Sequence, residues 1–535
     1  MRAPVALLTA ALLAGATPAL AQASGPAAAD DALSEATIAS LRADLAAGRT
    51  TSEQVVRTYL ARMARLDRTG PRLNSVVALN PAALAEARER DAERRAGRLR
   101  GPLHGVPILL KDNIEAAGMP TTAGSLALKD NAPGRDSPVA ASLRAQGAII
   151  LGKTNLSEWA NFRSERSLSG WSAVGGLTRN PYALDRTTCG SSSGSGAAVA
   201  ARLAPGAIGS ETNGSIICPS SMTGLVGLKP TLGLIPRSRI VPISHSQDTA
   251  GPMTRTVRDA AILLSALIAS DPADPATARA LDHAGDYAAA LDPAAIRSMR
   301  IGVIRGGQQP ELLAVFAKAL DTLRGAGATL VEIKPPSAEG MGAASYQVLL
   351  SEFHADLDAY LATTRPDQVL TRSLADLIAF NAANARRELP LFGQDIFDAA
   401  QAKPGLDDPA YRAARERSLR LAGAEGIDAM LQGNGVDLVV MISYGPAWPS
   451  DTVWGDQYEG PSGSTSAAAI AGYPHLTVPM GTVRGLPVGL SFIGTAYTEQ
   501  RLLNAGYAFE QAAGLTLRPD FRPTADTGPE LEPQR

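Results

Sequence analysis

Short, wholly apolar runs alternate along this chain with longer segments whose apolar residues recur every three or four positions. The short runs read as strands buried on both faces, the longer segments as amphipathic helices. Helices are predicted over Ser34–Ala46, Ser52–Leu66 with Thr51 or Ser52 as N-cap, and the charged surface segment Ala82–Ala96. A strand follows, ending at Lys111 after Val106-Pro107-Ile108-Leu109-Leu110. Ser137–Ala145 reads as a helix, Ala148–Leu151 as a buried strand, Gly194–Leu203 as a small-residue helix packed closely on its neighbours, Leu225–Lys229 as a strand and Thr256–Ala269 as an apolar helix. The alternation resumes with strand Arg300–Ile304, helix Glu311–Gly325 and strand Thr329–Ile333, passes through a mainly helical stretch from Gly340 to Gly426, and returns to strands at Leu438–Ile442 and Leu476–Val478. Pro487–Ile493 pairs with the last of these as a hairpin across Arg484-Gly485-Leu486. Strands interleaved with helices imply an α/β fold with helices on both sheet faces, and no low-complexity linker divides the chain, so one large domain is expected.

The ends differ from this pattern. Arg2, the apolar run Val5–Ala14 and the small-x-small triplet Ala19-Leu20-Ala21 read as a signal peptide over residues 1–21, which predicts a periplasmic or secreted protein. An Ala/Gly/Pro linker over 22–30 leads to the domain at 31–517, and the proline-rich tail 518–535 is expected to be loose. Lys plus Arg number 50 against 52 Asp plus Glu; a net charge of −2 gives no electrostatic reason to expect nucleic acid or an anionic membrane as partner. No later segment is long and apolar enough to span a bilayer, and a monomer or simple homo-oligomer is expected. The two cysteines, Cys189 and Cys218, exclude a disulfide-dependent scaffold; they read as buried thiols, with one bridge permitted by export.

Candidate chemistry concentrates in two glycine-bordered, serine-bearing turns, Cys189-Gly190-Ser191-Ser192-Ser193-Gly194-Ser195-Gly196 and Gly209-Ser210-Glu211-Thr212-Asn213-Gly214-Ser215-Ile216. Serine needs a base to become a nucleophile. Lysine, with a reference pKa of about 10.4, serves only if burial strips its charge, and Lys111 ends an apolar strand. Lys111, Ser191 and Ser215 therefore read as base, bridge and nucleophile. Successive N–H groups of Thr212, Asn213, Gly214 and Ser215 can form a concave donor cluster for a tetrahedral oxyanion. Without this grouping, Lys111 would pair with Asp112 at the surface, and the Gly/Ser stretches would be turns. A rival reading uses Gly190-Ser191-Ser192-Ser193-Gly194 as a G-x-S-x-G elbow, with Ser192 as nucleophile and Asp437 and His475 downstream. The five histidines show no metal-ligand spacing, and the relay needs neither metal nor organic cofactor.

These motifs resemble the amidase signature family. The match runs through Gly105-Val106-Pro107, Lys111-Asp112-Asn113, Gly152-Lys153-Thr154-Asn155, both serine turns and Gly227-Leu228-Lys229-Pro230-Thr231, and resumes at Gly472-Tyr473-Pro474 and Gly485-Leu486-Pro487-Val488-Gly489. The resemblance implies a mixed sheet of about eleven strands between helical layers. It also implies a Ser-cisSer-Lys triad of Ser215, Ser191 and Lys111. Within the family the likeness is greatest to bacterial enzymes that remove the C-terminal amide of peptide amides and release ammonia. It is carried by Thr154–Arg163, Cys189–Ser195, Ser246–Met253 and Arg372–Asn381. Fatty-acid, aryl or other small amides are the alternative substrates. Asn213-Gly214 stands where many members have Gly-Gly, Ser443-Tyr444 where a threonine pair is common, and Ile217 where many have an arginine that holds a substrate carboxylate. An apolar side chain there disfavours an anionic substrate, whose charge would be buried unpaired.

Overall fold

The structure, a computed structural model, describes residues 33–306, 309–458, 463–527 and 531. The segments read above as signal peptide (1–21) and linker (22–30) lie outside the described residues. Eleven strands among the described residues form one mixed sheet. They are β1 Val76–Leu79, β2 Pro107–Lys111, β3 Ile149–Thr154, β4 Gly206–Glu211, β5 Val226–Lys229, β6 Thr249–Thr254, β7 Arg300–Val303, β8 Thr329–Glu332, β9 Leu438–Ile442, β10 His475–Val483 and β11 Leu486–Ile493. Their order across the sheet is β1-β3-β2-β4-β6-β5-β10-β11-β9-β7-β8. The trio β3-β2-β4 is parallel, as is β9-β7-β8, and antiparallel strands join the two blocks.

The continuous apolar runs are explained by burial on both faces. Ile108 and Leu110 of β2 face one core with Leu438, Val440 and Ile442 of β9. Leu109 faces a second core, and Val439 and Met441 a third. The first core is covered by the helices α1 Ile38–Ala46, α5 Val257–Leu267, α6 Pro310–Gly325 and α8 Glu499–Ala513. The opposite face carries α2 Ser52–Leu66, capped by the Thr51 hydroxyl, and α3 Ser193–Ala200. Further along the chain lie α4 Ile217–Met222 and, in the helical middle region, α7 Met341–Ala362, whose cluster packs on Trp159, Phe162 and Val241.

Three expectations need correction. β4 and β6 were not foreseen, because Gly206-Ala207-Ile208-Gly209-Ser210 and Thr249-Ala250-Gly251-Pro252 carry turn residues; pairing with each other and burial on both faces override that signal. Residues 518–527 are docked rather than loose. Phe521 N–H donates to the Pro181 carbonyl at 2.9 Å, Arg522 carbonyl accepts from Leu184 N–H at 2.9 Å, and Ala525 is buried. The rest of that tail, except residue 531, lies outside the described residues. Finally, Cys189 and Cys218 are joined in a disulfide, not held as two thiols, because the two serine turns that carry them fold against each other.

Candidate active site

Parallel pairing brings the carboxyl ends of β2 and β4 side by side, so Lys111, the last residue of β2, meets Ser210, next to last in β4. Lys111 is fully buried. Its Nζ lies 2.7 Å from Ser191 Oγ and 2.9 Å from both the carbonyl and the hydroxyl oxygen of Ser210. Among the described residues no carboxylate forms an ion pair with it. Burial drives its pKa from 10.5 down to about 7, with the charges of Asp248 and Glu211 opposing the fall. Asp112 instead pairs with Lys153 at 3.0 Å, deep in the fold, which disposes of a surface Lys111–Asp112 pair.

The bridging turn is shaped by close approach. The Gly190–Ser191 peptide is cis, and a Cβ on Gly190 would stand 2.1 Å from Ser157 Oγ. Ser191 is fully buried and its carbonyl accepts from Ser157 N–H at 3.1 Å. The second turn is held from beneath: Glu211 Oε2 accepts the N–H groups of Ile216 (2.8 Å) and Ile217 (3.1 Å), fixing the start of α4 directly after Ser215. Gly214 has φ +84°, and a Cβ there would meet the Tyr444 hydroxyl at 2.3 Å. Among the described residues, the N–H groups of Thr212, Asn213, Gly214 and Ser215 donate to no acceptor, and the Ser215 hydroxyl makes no hydrogen bond. These four residues line a cleft of about 360 Å³ walled by Tyr444, Trp448 and Tyr458. Ile217 is buried in an apolar cluster with both cysteines, Tyr444 and Trp448, so nothing at that position offers a charge to a carboxylate.

The elbow reading is not assembled. Ser192 Oγ is buried and donates to the Ser210 carbonyl at 3.1 Å, while Ser192 N–H donates to the Ser215 carbonyl at 3.2 Å; this serine stitches the two turns together. His475 is fully buried on Ser491 Oγ at 2.6 Å, and burial together with the charge of Lys229 pulls its pKa down to about 3. Asp437 accepts from Arg300 N–H at 2.9 Å at the start of β7.

Sequence reasoning missed three participants. Ser210 supplies two of the three contacts to Lys111, and Asn113 Nδ2 donates to the Ser210 hydroxyl at 2.9 Å. Asp248 accepts from Thr212 Oγ1 at 2.5 Å and from the N–H groups of Ile243 and Ser244. Burial raises its pKa to about 6, with those hydrogen bonds opposing. Ser210, Asn113 and Asp248 each stand inside a stretch that carries the family resemblance, Gly209–Ile216, Lys111–Asn113 and Ser246–Met253, but no local pattern ties any of them to Lys111.

A buried amine, two serine hydroxyls from separate turns and a run of unused N–H donors have the parts of a serine hydrolase that works without histidine. The family model described as Amidase matches residues 54–503. The native peptide amidase from Stenotrophomonas maltophilia is similar at 52% identity and TM-score 0.86, over 92% of this chain and 99% of that one. The peptide amidase PAM in complex with the competitive inhibitor chymostatin is similar at 53% identity and TM-score 0.86, over 91% and 99% of the two chains. A probable amidase from Arabidopsis thaliana is 38% identical over 501 residues, 91% of this chain and 92% of the relative. The chain belongs to the amidase signature family and is a serine amidohydrolase of that family.

Proposed function

We propose that this protein is an exported peptide amidase that hydrolyses the C-terminal amide of peptide amides through Lys111, Ser191 and Ser215. The observation that carries the relay is the 2.7 Å contact between Ser191 Oγ and a Lys111 amine whose charge burial removes near neutral pH. A neutral amine has two N–H donors and one lone pair. With its N–H groups given to the carbonyl and hydroxyl of Ser210, the lone pair is left for the Ser191 O–H. Ser191 then takes the proton of Ser215 as Ser215 Oγ attacks the amide carbonyl, and the N–H groups of Thr212 to Ser215 receive the oxyanion. The proton returns through Ser191 to the leaving nitrogen, the C–N bond breaks, and ammonia departs. Water hydrolyses the acyl-enzyme by the same relay.

Support for a peptide amide comes from the likeness to two solved peptide amidases and from the cleft, where an aromatic wall and buried Ile217 suit an uncharged acyl group. Export is supported by the N-terminal pattern and by the Cys189–Cys218 bridge, which persists in oxidising compartments. The test is ammonia release from matched peptide amides, fatty-acid amides and aryl carboxamides: kcat/KM is expected to be highest for the peptide amides, and a preference for fatty amides would overturn the assignment. N-terminal sequencing of the protein secreted by a Gram-negative host is expected to begin at Gln22.

A further inference from the structure

Two cavities meet at the relay, and they differ in charge. The larger, of about 850 Å³, holds Ser191, and its wall carries arginines and aspartates together, as in the Arg237–Asp274 pair at 2.5 Å. The aromatic cleft holds Ser215, and among the described residues that line it Asp456 is the one charged side chain.

Asp456 is held in place by its loop. Its N–H donates to the Ser167 carbonyl at 3.3 Å. Just before it, Asp451 Oδ1 accepts the N–H groups of Val453 at 2.8 Å and Trp454 at 3.0 Å. Gly455 has φ +75°, and a Cβ there would stand 2.9 Å from the Arg166 carbonyl oxygen, so the chain reaches Asp456 by a path that glycine permits. The carboxylate accepts from Ser169 N–H at 3.1 Å, from Ser169 Oγ at 2.5 Å and from Trp448 Nε1 at 3.2 Å. All of these donors are neutral, and no Lys, Arg or His among the described residues forms an ion pair with it. Burial raises its pKa, with those hydrogen bonds opposing the rise. A carboxylate drawn out of water without a counter-charge is costly.

The surroundings suit a cation. Tyr444, Trp448 and Tyr458 wall the same cleft. The Tyr458 ring lies 5.6 Å from that of Tyr444 at 69°, and 5.8 Å from that of Trp448 at 89°. Aromatic faces attract cations, and rings set at steep angles can surround one. Ser215 opens on this cleft, so a cation bound here belongs to the acyl part of the substrate. Two extended residues span about 7 Å, which a cleft of about 360 Å³ can hold. The atoms next to the scissile carbonyl stay uncharged, and the charge falls further out.

We propose that Asp456 with Tyr444, Trp448 and Tyr458 forms a cation subsite, and that the enzyme selects amides whose acyl part carries an ammonium, either the free N-terminus of a short peptide amide or a lysine side chain. The inference rests on the peptide amidase reading given above and deepens it.

The experiment measures ammonia release at pH 7 from two matched pairs. The first is alanyl-phenylalanine amide with a free or an acetylated N-terminus; a free α-amine, with a reference pKa of about 7.7–8.0, is mostly charged there. The second is N-acetyl-alanyl-lysine amide against N-acetyl-alanyl-norleucine amide. The quantity read is the ratio of kcat/KM within each pair, charged over neutral, which a general loss of folding or activity does not alter. Wild-type protein is expected to favour the charged member about tenfold or more in at least one pair, chiefly through KM, and the pair that responds identifies the ammonium as N-terminal or as lysine. Asp456→Asn is expected to bring that ratio to about one, and Tyr458→Leu to lower it by about threefold. Ratios near one in wild type for both pairs, or a preference that Asp456→Asn leaves intact, would overturn the subsite. Absence of ammonia release from all four substrates would instead overturn the underlying peptide amidase reading.

Discussion

In the proposed relay, Lys111 can serve as a base only while it is uncharged, and its environment sets when that is. Three oxygen contacts hold it at the end of β2, with no carboxylate partner among the described residues, and burial brings its pKa to about 7. Below that value the folded enzyme carries an ammonium and the relay has no acceptor. Asp248 has already lost its proton by then, at about 6, so it adds no alkaline limb. The expected kcat/KM profile therefore rises roughly tenfold per pH unit on the acid side, bends near pH 7 and stays flat above it. A bell centred near pH 5 would remove lysine as the base. Lys111→Ala is expected to lower kcat by about 10³-fold or more, with unfolding by denaturant showing a stable protein, while His475→Ala retains the relay. Ser215→Ala is expected to abolish labelling by a serine-reactive phosphonate as well as turnover. Each of these side chains could be named from the sequence because serine and lysine next to glycine and apolar neighbours carry a chemical meaning of their own. Ser210, Asn113 and Asp248 could not, because their meaning is a distance.

At the scale of elements, the site is two turns clamped into one. The disulfide joins the residue two before Ser191 to the residue three after Ser215, and Ser192 pairs the backbones in between. Closing a loop with a sequence separation of 29 stabilises the fold by about 3–4 kcal/mol on the chain-entropy account. Cys218→Ser is expected to lower the unfolding free energy by roughly that amount in urea titrations, and activity is expected to fall as the turns move apart. Glu211 holds the other end. Glu211→Ala would leave the N–H groups of Ile216 and Ile217 buried and unpaired at the start of α4, a loss of about 2 kcal/mol or more, with a lower kcat; Glu211→Gln, which keeps an acceptor, is expected to recover part of both. The elements around the site were legible where their periodicity was strong, as in β2, β3, α2 and α5. β4 and β6 were not, since a strand made of Gly, Ala, Ser and Pro shows itself only through its partners.

Across the described residues, one sheet sets two parallel blocks on either side of an antiparallel middle, with β1 antiparallel at the outer edge of the first, and Lys111 sits where the first block's carboxyl edge meets the turns. The cores on the two faces stabilise that platform without touching the relay. Phe316 of α6 is fully buried in the largest cluster. Phe316→Ala is expected to cost about 3–5 kcal/mol in stability while leaving kcat at 25 °C within about twofold, measured by denaturant titration and ammonia release. Loss of kcat with unchanged stability would mean that the core and the site are not separable in this way.

The sequence alone determined the layered α/β pattern, the pair of serine turns and the lysine that ends an apolar strand, because hydrophobic period, glycine placement and side-chain chemistry are local properties. Tertiary structure decided that the cysteines bridge, that residues 518–527 dock, that Asp112 belongs to Lys153, and that Ser192 stitches the two turns together. It also decided that the relay has a cavity on each side. All of these depend on which buried groups come within hydrogen-bonding reach once distant strands pair, and no local pattern encodes that.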